Sequence, residues 1–289
     1  MNSPGNSHRR LRARTRLGKY KIERWLAEGG FAHVYQAYDE IEGIRVALKV
    51  PIVSFDDRET LDLFRREIRL TTKLDHPNIL PIKDASFIEG TFVISSPLAL
   101  ESLAERLQRR MTTRLGISFT EQILEGLAHA HSRKILHCDI KADNVLLFAD
   151  GRLRLADFGI ARVAHHTVRA SGSGTLGAMA PEQAMGHPSF RSDVFSAGLL
   201  TYRIFAGRQL EWPFEWPFPE HRRLSAKLPR VMIQWLRKSL EISPRRRFRD
   251  ATEMRDAFLA IQPDIERSLK RRGAPTRKTK RKSRSRRSG

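Results

Sequence analysis

The chain is 289 residues long, 40% hydrophobic and 8% aromatic, enough apolar mass for one large domain or two lobes. No apolar run approaches the roughly 20 residues of a membrane helix, and no apolar stretch follows the N-terminal arginines as a secretory leader requires. The single cysteine, Cys138, excludes an internal disulfide, so a cytoplasmic protein is the expectation. The net charge of +21 sits mostly at the ends. Residues 1–19 carry six Lys/Arg and residues 267–289 carry twelve, with no acid in either, which leaves +3 between them. Both ends are expected to be disordered basic arms, 1–19 and 263–289. The C-terminal arm is expected to attract a polyanion or an acidic partner surface, in a salt-dependent way.

In chain order, residues 20–50 read as strands. In Ile44–Val50 the alternation sets Ile44, Val46, Leu48 and Val50 on one face and Arg45, Ala47 and Lys49 on the other. Residues 57–74 read as a helix: Asp56 and Glu59 have the spacing of a capping box, and Leu61, Phe64, Ile68, Thr71 and Leu74 recur at helical spacing. Glu67 lies near the edge of that stripe. His76-Pro77-Asn78 ends the helix, Ile79–Ile94 reads as two more strands, and Ser95-Ser96-Pro97 as a connector. The remainder turns helical. Phe119, Ile123, Leu127 and Ala130 mark one amphipathic helix. Asp193 caps an expected buried helix, Val194–Ala206, ended by Gly207, and Leu228–Leu240 and Ala251–Ile261 follow. A β-rich first third and a helical remainder imply two lobes with a cleft between them.

Several short motifs occur in a fixed order. Leu26-Ala27-Glu28-Gly29-Gly30-Phe31-Ala32-His33-Val34 is a glycine-containing turn between strands, followed by Val46-Ala47-Leu48-Lys49 and by Glu67 on the helix. Next come His137-Cys138-Asp139-Ile140-Lys141-Ala142-Asp143-Asn144, Asp157-Phe158-Gly159 and Ala180-Pro181-Glu182. Each alone is a weak signal; six in this order are not. The set resembles the eukaryotic-like (Hanks-type) serine/threonine protein kinase catalytic domain, from about Tyr20 to Ile261, and Ala-Pro-Glu-Gln at 180–183 leans toward its bacterial members.

The resemblance implies an α+β, bilobal fold over residues 20–262, with a small β-rich N-lobe of about 20–95 carrying one key helix and a larger helical C-lobe of about 98–262. It implies ATP and Mg²⁺ as cofactors and Ser/Thr hydroxyls of proteins, this one included, as acceptors. Phosphoryl transfer through a loose transition state needs positioning and electrostatics above all. By resemblance, Lys49 holds the α/β-phosphates and pairs with Glu67, while Asp157 and Asn144 ligate the metal. Asp139 takes or orients the acceptor proton, and Lys141 steadies the γ-phosphate. Lys141, with Gly174-Thr175, is the Ser/Thr-type pattern. The turn from Leu26 to Val34 covers the nucleotide, and Leu26, Val34, Ala47 and Leu146 sandwich the adenine. Glu182 pairs with Arg247, Asp193 holds the catalytic-loop backbone, and His137 is scaffold.

The sequence also departs from the family. Ala27 and Ala32 stand where the first and third glycines usually sit, which implies a looser turn and weaker nucleotide binding. Cys138 replaces the arginine that normally pairs with a loop phosphate, so Thr167, Ser171 and Ser173, beside Arg162 and Arg169, are a weaker switch than usual; the thiol itself reads as a small buried hydrophobe. Pro97 falls near the position of an adenine-binding N–H, and Ala178 replaces an aromatic residue. Glu211-Trp212-Pro213-Phe214 repeats as Glu215-Trp216-Pro217-Phe218. The repeat reads as plugs against the helical lobe, with the docking helix after it trimmed or missing. The histidine pairs 129/131 and 165/166 lack the spacing of a zinc site. The alternative function is a pseudokinase-like nucleotide-binding scaffold with weak or no transfer.

Overall fold

The computed structural model describes residues 10–28, 32–52, 58–158, 179–210 and 213–273. The first lobe is a six-stranded antiparallel sheet of β1 (Arg16–Leu17), β2 (Tyr20–Glu28), β3 (Ala32–Asp39), β4 (Ile44–Pro51), β5 (Asp84–Ile88) and β6 (Thr91–Pro97), in the order β1-β2-β3-β4-β6-β5. Its inner positions are those the alternation marks: Val46 and Leu48 are fully buried with Tyr20, Ile22, Tyr35 and Val93. Ile44 is exposed at the strand's start. Helix α1 (Arg58–Thr71) packs Phe64 edge-on against Phe92, and Ile94 completes that second cluster. Asp56 and the side chain of Glu59 lie outside the described residues.

Two elements extend past their expected ends. Ser95-Ser96-Pro97 is not a connector: it continues β6, with Ser95, Ser96 and Pro97 opposite Leu48, Ala47 and Val46 of β4. A proline fits the last residue of a strand, where its missing N–H costs no internal ladder bond. The N-terminal arm is not disordered from Arg10 onward. Leu11 packs against the sheet core and its N–H donates to the Tyr35 hydroxyl at 3.0 Å, the Arg10 guanidinium lies 4.8 Å over Trp25, and Arg10 pairs with Glu28.

The second lobe begins with β7 (Glu101–Ser102) and α2 (Leu103–Arg106), which Ser102 and Glu105 close with a capping box. Helix α3 (Thr113–Ser132) follows, then the hairpin β8 (Val145–Leu147) and β9 (Leu153–Leu155), which pairs with β7. After α4 (Pro181–Ala184) comes α5 (Phe190–Ala206), buried almost all round. Its cap is Ser189, not Asp193: Ser189 and Ser192 form the capping box, and Asp193 lies inside the first turn with its carboxylate turned elsewhere. Gly207 ends the helix in the left-handed conformation glycine favours, φ 80°.

Of the two expectations for the docking helix, trimmed or missing, the seven-residue α6 (His221–Lys227) fits the first, and α7 (Arg230–Ser239) follows it. The plug reading holds for Phe214 and Phe218, both buried in the core, while Trp216 lies near the surface under Arg237; Trp212 lies outside the described residues. The last helix, α8, runs Ala251–Gly273, well beyond the expected Ile261. Residues 263–273 are therefore helix and not disordered tail, because Ile265 is buried and Leu269 packs on the same core beyond Pro263. Among the described residues no helix is long and apolar enough to cross a membrane.

The lobes meet where Ile79 bridges Leu155. Leu80 N–H donates to Leu155 O and Leu155 N–H to Asn78 O, each at 2.9 Å, which seats the segment between α1 and β5 on the second lobe.

Candidate active site

The register of the sheet fixes what faces the cleft. Val34 pairs with Lys49 and Gln36 with Ala47, so Val34, Ala47 and Lys49 share one face of the sheet, opposite the buried Leu48. Leu26, Val34, Ala47 and Leu146 are all half-buried, whereas their neighbours Val46, Leu48 and Val145 are fully covered. Apolar side chains left partly open beside a polar cluster are what a planar apolar ring would cover. Beyond Pro97, the first backbone N–H groups available are those of Leu98 and Ala99.

Gly29, Gly30 and Phe31 lie outside the described residues, but their flanks are strand, with a register shift in β2 between Trp25 and Ala27. Ala27 and Ala32 pair with Val34 and Pro51, and neither has a positive φ. Glycine's conformational freedom is thus not required at either position, and the expected looseness reduces to the effect of a methyl. Glu28 is exposed, while His33 is buried beside Tyr35.

Lys49 Nζ lies 2.5 Å from Asp157 Oδ1. Burial opposes ionisation of Asp157, but the Lys49 ammonium outweighs it and holds the carboxyl below its ordinary range. The expected partner of Lys49, the Glu67 side chain, lies outside the described residues. Asp157 has φ 67°, a left-handed conformation that few non-glycine residues adopt and aspartate adopts more readily than most.

The loop 137–144 is wired to this pair. Asp139 Oδ2 accepts from Lys141 Nζ at 2.8 Å and from Asn144 Nδ2 at 2.8 Å, and Asn144 Nδ2 also reaches Asp139 O at 2.9 Å. Asn144 O accepts the N–H of Ala156 at 2.8 Å, which ties the loop to the residue before Asp157. The Asn144 side-chain oxygen makes none of these bonds. A carboxylate kept ionised and an amide oxygen are hard donors of the kind Mg²⁺ takes, so the residues fit a divalent cation.

Asp193 supports the loop from below. It accepts the N–H of His137 at 2.8 Å and of Cys138 at 2.9 Å, and His131 Nε2 lies 3.0 Å from Oδ2. His131 Nδ1 accepts the N–H of Ala251, so both of its ring nitrogens are engaged. Burial opposes ionisation of Asp193, and the hydrogen bond from His131 with its other donors overrides it. Burial also depresses the pKa of His137, which favours a neutral ring; that ring lies 4.5 Å from Phe158, and its Nδ1 accepts the N–H of Asp139 at 3.3 Å, so it supports the loop. Glu182 forms the expected pair with Arg247, at 2.7 and 3.1 Å, and accepts from Ser192.

The structure thus brings together Lys49, Asp139, Lys141, Asn144 and Asp157. The loop residues Thr167, Ser171, Ser173, Arg162, Arg169, Gly174, Thr175 and Ala178 lie outside the described residues, as do Gly159, His165 and His166. Sequence reasoning missed the Lys49–Asp157 pair, the part played by His131 under Asp193, and Gln183, whose amide reaches the loop. Only Gln183 had a visible signal, its place directly after Ala-Pro-Glu.

A family model described as the protein kinase domain matches residues 20–251. The serine/threonine-protein kinase PknA of Mycobacterium tuberculosis is 32% identical over 275 residues, which covers 86% of this chain and 62% of PknA. PrkC of Bacillus subtilis, also a serine/threonine-protein kinase, is 34% identical over 205 residues, 66% of this chain and 31% of PrkC. The crystal structure of the Mycobacterium tuberculosis PknI kinase domain superposes with a TM-score of 0.67 at 25% identity, covering 87% of this chain and 99% of that one. The chain therefore spans less than two thirds of the length of either curated relative. On its folded core and on these likenesses, the chain belongs to the protein kinase domain family, in the Hanks-type serine/threonine branch found in bacteria.

Proposed function

We propose that this chain is an ATP- and Mg²⁺-dependent serine/threonine protein kinase that transfers the γ-phosphoryl group to protein hydroxyls, its own among them. The observation that carries the reading is the joint fixing of Asp139 by Lys141 and Asn144 and of Asp157 by Lys49, within one bonded loop system. Bound Mg²⁺ would neutralise phosphate charge, with Asp157 and the Asn144 side-chain oxygen as its protein ligands. Lys49 binds the phosphates from the sheet side, and Lys141 places a second ammonium beside Asp139 where charge moves to the transferred group. Asp139 accepts or orients the proton of the acceptor hydroxyl. Leu26, Val34, Ala47 and Leu146 hold the adenine, and the N–H groups of Leu98 and Ala99, the first after Pro97, donate to its edge.

Protein substrates carrying Ser or Thr meet the segment before Ala180-Pro181-Glu182. The basic sequence beyond residue 273 is an accessory that draws anionic partners. A cytoplasmic setting, which supplies ATP and keeps a lone thiol reduced, is part of this reading.

Labelled ATP with Mg²⁺, offered with a generic Ser/Thr substrate, tests the reading. Wild-type protein transfers label to itself and to the substrate, while Asp139→Asn and Lys49→Met lose on the order of 10²–10⁴-fold. Equal label in all three proteins sinks the reading. Nucleotide-dependent thermal stabilisation without transfer sinks it too, in favour of the scaffold.

A further inference from the structure

Asp139 is aimed by the residue before it. Cys138 has φ 65°, in the left-handed region, and is buried. Strain of this kind persists only where neighbours over-determine it. Here both peptide groups of Cys138 are held. Its N–H donates to Asp193 Oδ1 at 2.9 Å, and its carbonyl accepts from Gln183 Nε2 at 2.6 Å. That carbonyl belongs to the peptide joining Cys138 to Asp139, so its plane sets the direction in which Asp139 leaves the backbone.

Gln183 cannot follow a moving loop. It sits in α4, where its own N–H donates to Ala180 O at 3.0 Å and its carbonyl accepts from Gly186 at 2.9 Å. The preceding residue, Glu182, is fixed by the fully buried Arg247. Gln183 is itself buried, and its amide oxygen has no hydrogen-bond partner among the described residues. A buried amide with one end unmade costs more than a thioether or leucine of similar volume, so the bond at its other end accounts for the residue.

We propose that Gln183 is a positioning residue: its amide locks the Cys138–Asp139 peptide plane and couples the Ala180–Gln183 segment to the residue that meets the acceptor hydroxyl. The inference rests on the transfer reading above.

The chain has one cysteine, so protein made with 1-¹³C-cysteine carries a single labelled carbonyl at the bond in question. Gln183→Met keeps the volume and removes the donor. Its labelled resonance moves upfield, and its kcat falls about tenfold or more with KM for ATP near wild type, the mark of lost orientation and not of lost nucleotide binding. Gln183→Glu supplies a donor only when protonated. Its resonance therefore titrates, and its kcat relative to wild type rises as pH falls through that ionisation, a limb neither wild type nor Gln183→Met shows. An unmoved resonance in Gln183→Met, or wild-type kcat in that variant, overturns the role of Gln183. A wild-type protein that transfers nothing while the resonances respond as described overturns the transfer reading and leaves the bond established. Should Gln183→Met not fold, the titration of Gln183→Glu decides alone.

Discussion

Arg247 spends every donor it has. Its Nε bonds Glu241 O, one terminal nitrogen bonds Glu182 and Arg191 O, and the other bonds Glu182 and Ile242 O, while the guanidinium plane lies 4.4 Å over Phe195. Five N–H groups in a planar fork meet five acceptors, which a lysine with three donors on a point charge cannot do. Burial opposes ionisation of Glu182, and the Arg247 bonds override it, holding the carboxyl below its ordinary range. Replacing one member of a buried pair leaves the other charge unmatched, at about 3–5 kcal/mol. Glu182→Gln and Arg247→Met each lower the urea midpoint, by the equivalent of about 3 kcal/mol of stability, with an unchanged m-value. Wild-type midpoints in both would show that the pair is decoration. The pair holds the segment from which Gln183 reaches the 137–144 loop, so lost stability there is also lost geometry at Asp139.

At the scale of elements, the contact that seats one lobe on the other passes through a glycine. A Cβ on Gly126 of α3 would stand 2.6 Å from Asn78 O and 3.2 Å from Leu155 Cδ1. Asn78 has no room to yield. Its carbonyl accepts Leu155 N–H, and its side-chain amide donates to Leu153 O at 2.9 Å and Gln122 at 3.1 Å. Alanine in a helix gains about 1 kcal/mol over glycine, but forcing backbone apart costs about 1–3 kcal/mol. Gly126→Ala therefore comes out destabilised, by about 1–2 kcal/mol in a melt followed by circular dichroism; a stabilised variant would mean that the lobes are not seated through Asn78. Nothing local in the sequence announces this glycine, because the crowding arises from a residue 48 positions earlier. What was legible obeys short periods or a recognised motif order: the alternation of β4, the stripe of α1, and the set Lys49, Asp139, Asn144 and Asp157. What was not legible depends on distant packing. Helix α8 continues past Pro263 because Ile265 and Leu269 find the core, and β6 continues through Pro97 because β4 offers it a partner.

For the whole molecule, burial of titratable groups sets how stability responds to acid. His76, His129 and His137 all have pKa values pushed below the ordinary 6.5, in each case chiefly by burial. Around His76, Glu125 and Asp75 pull the value up and Arg133 and Arg255 push it down; Arg133 and His76 itself face His129. These rings are neutral in the folded protein at pH values where the unfolded chain already binds protons. By linkage, the unfolded state takes up more protons as pH falls below about 6.5, so stability is lost in that direction and is fully present above it. The carboxylates follow lower down. Asp157, Glu182 and Asp193 are held below their ordinary values by Lys49, Arg247 and the donors around Asp193, against the burial that opposes ionisation. Their contribution is present above about pH 4 and disappears as pH drops through their folded values. The melting temperature is therefore flat between about pH 8 and 7, declines below about 6.5 and falls more steeply below about 4. His137 lies under the loop that carries Asp139, so the first stage weakens the site along with the fold, and His137→Gln, which cannot take up a proton, flattens the upper decline. A melting temperature that rises between pH 7 and 5.5 would mean that these histidines gain protons on folding, and would overturn the neutral scaffold assigned to His137.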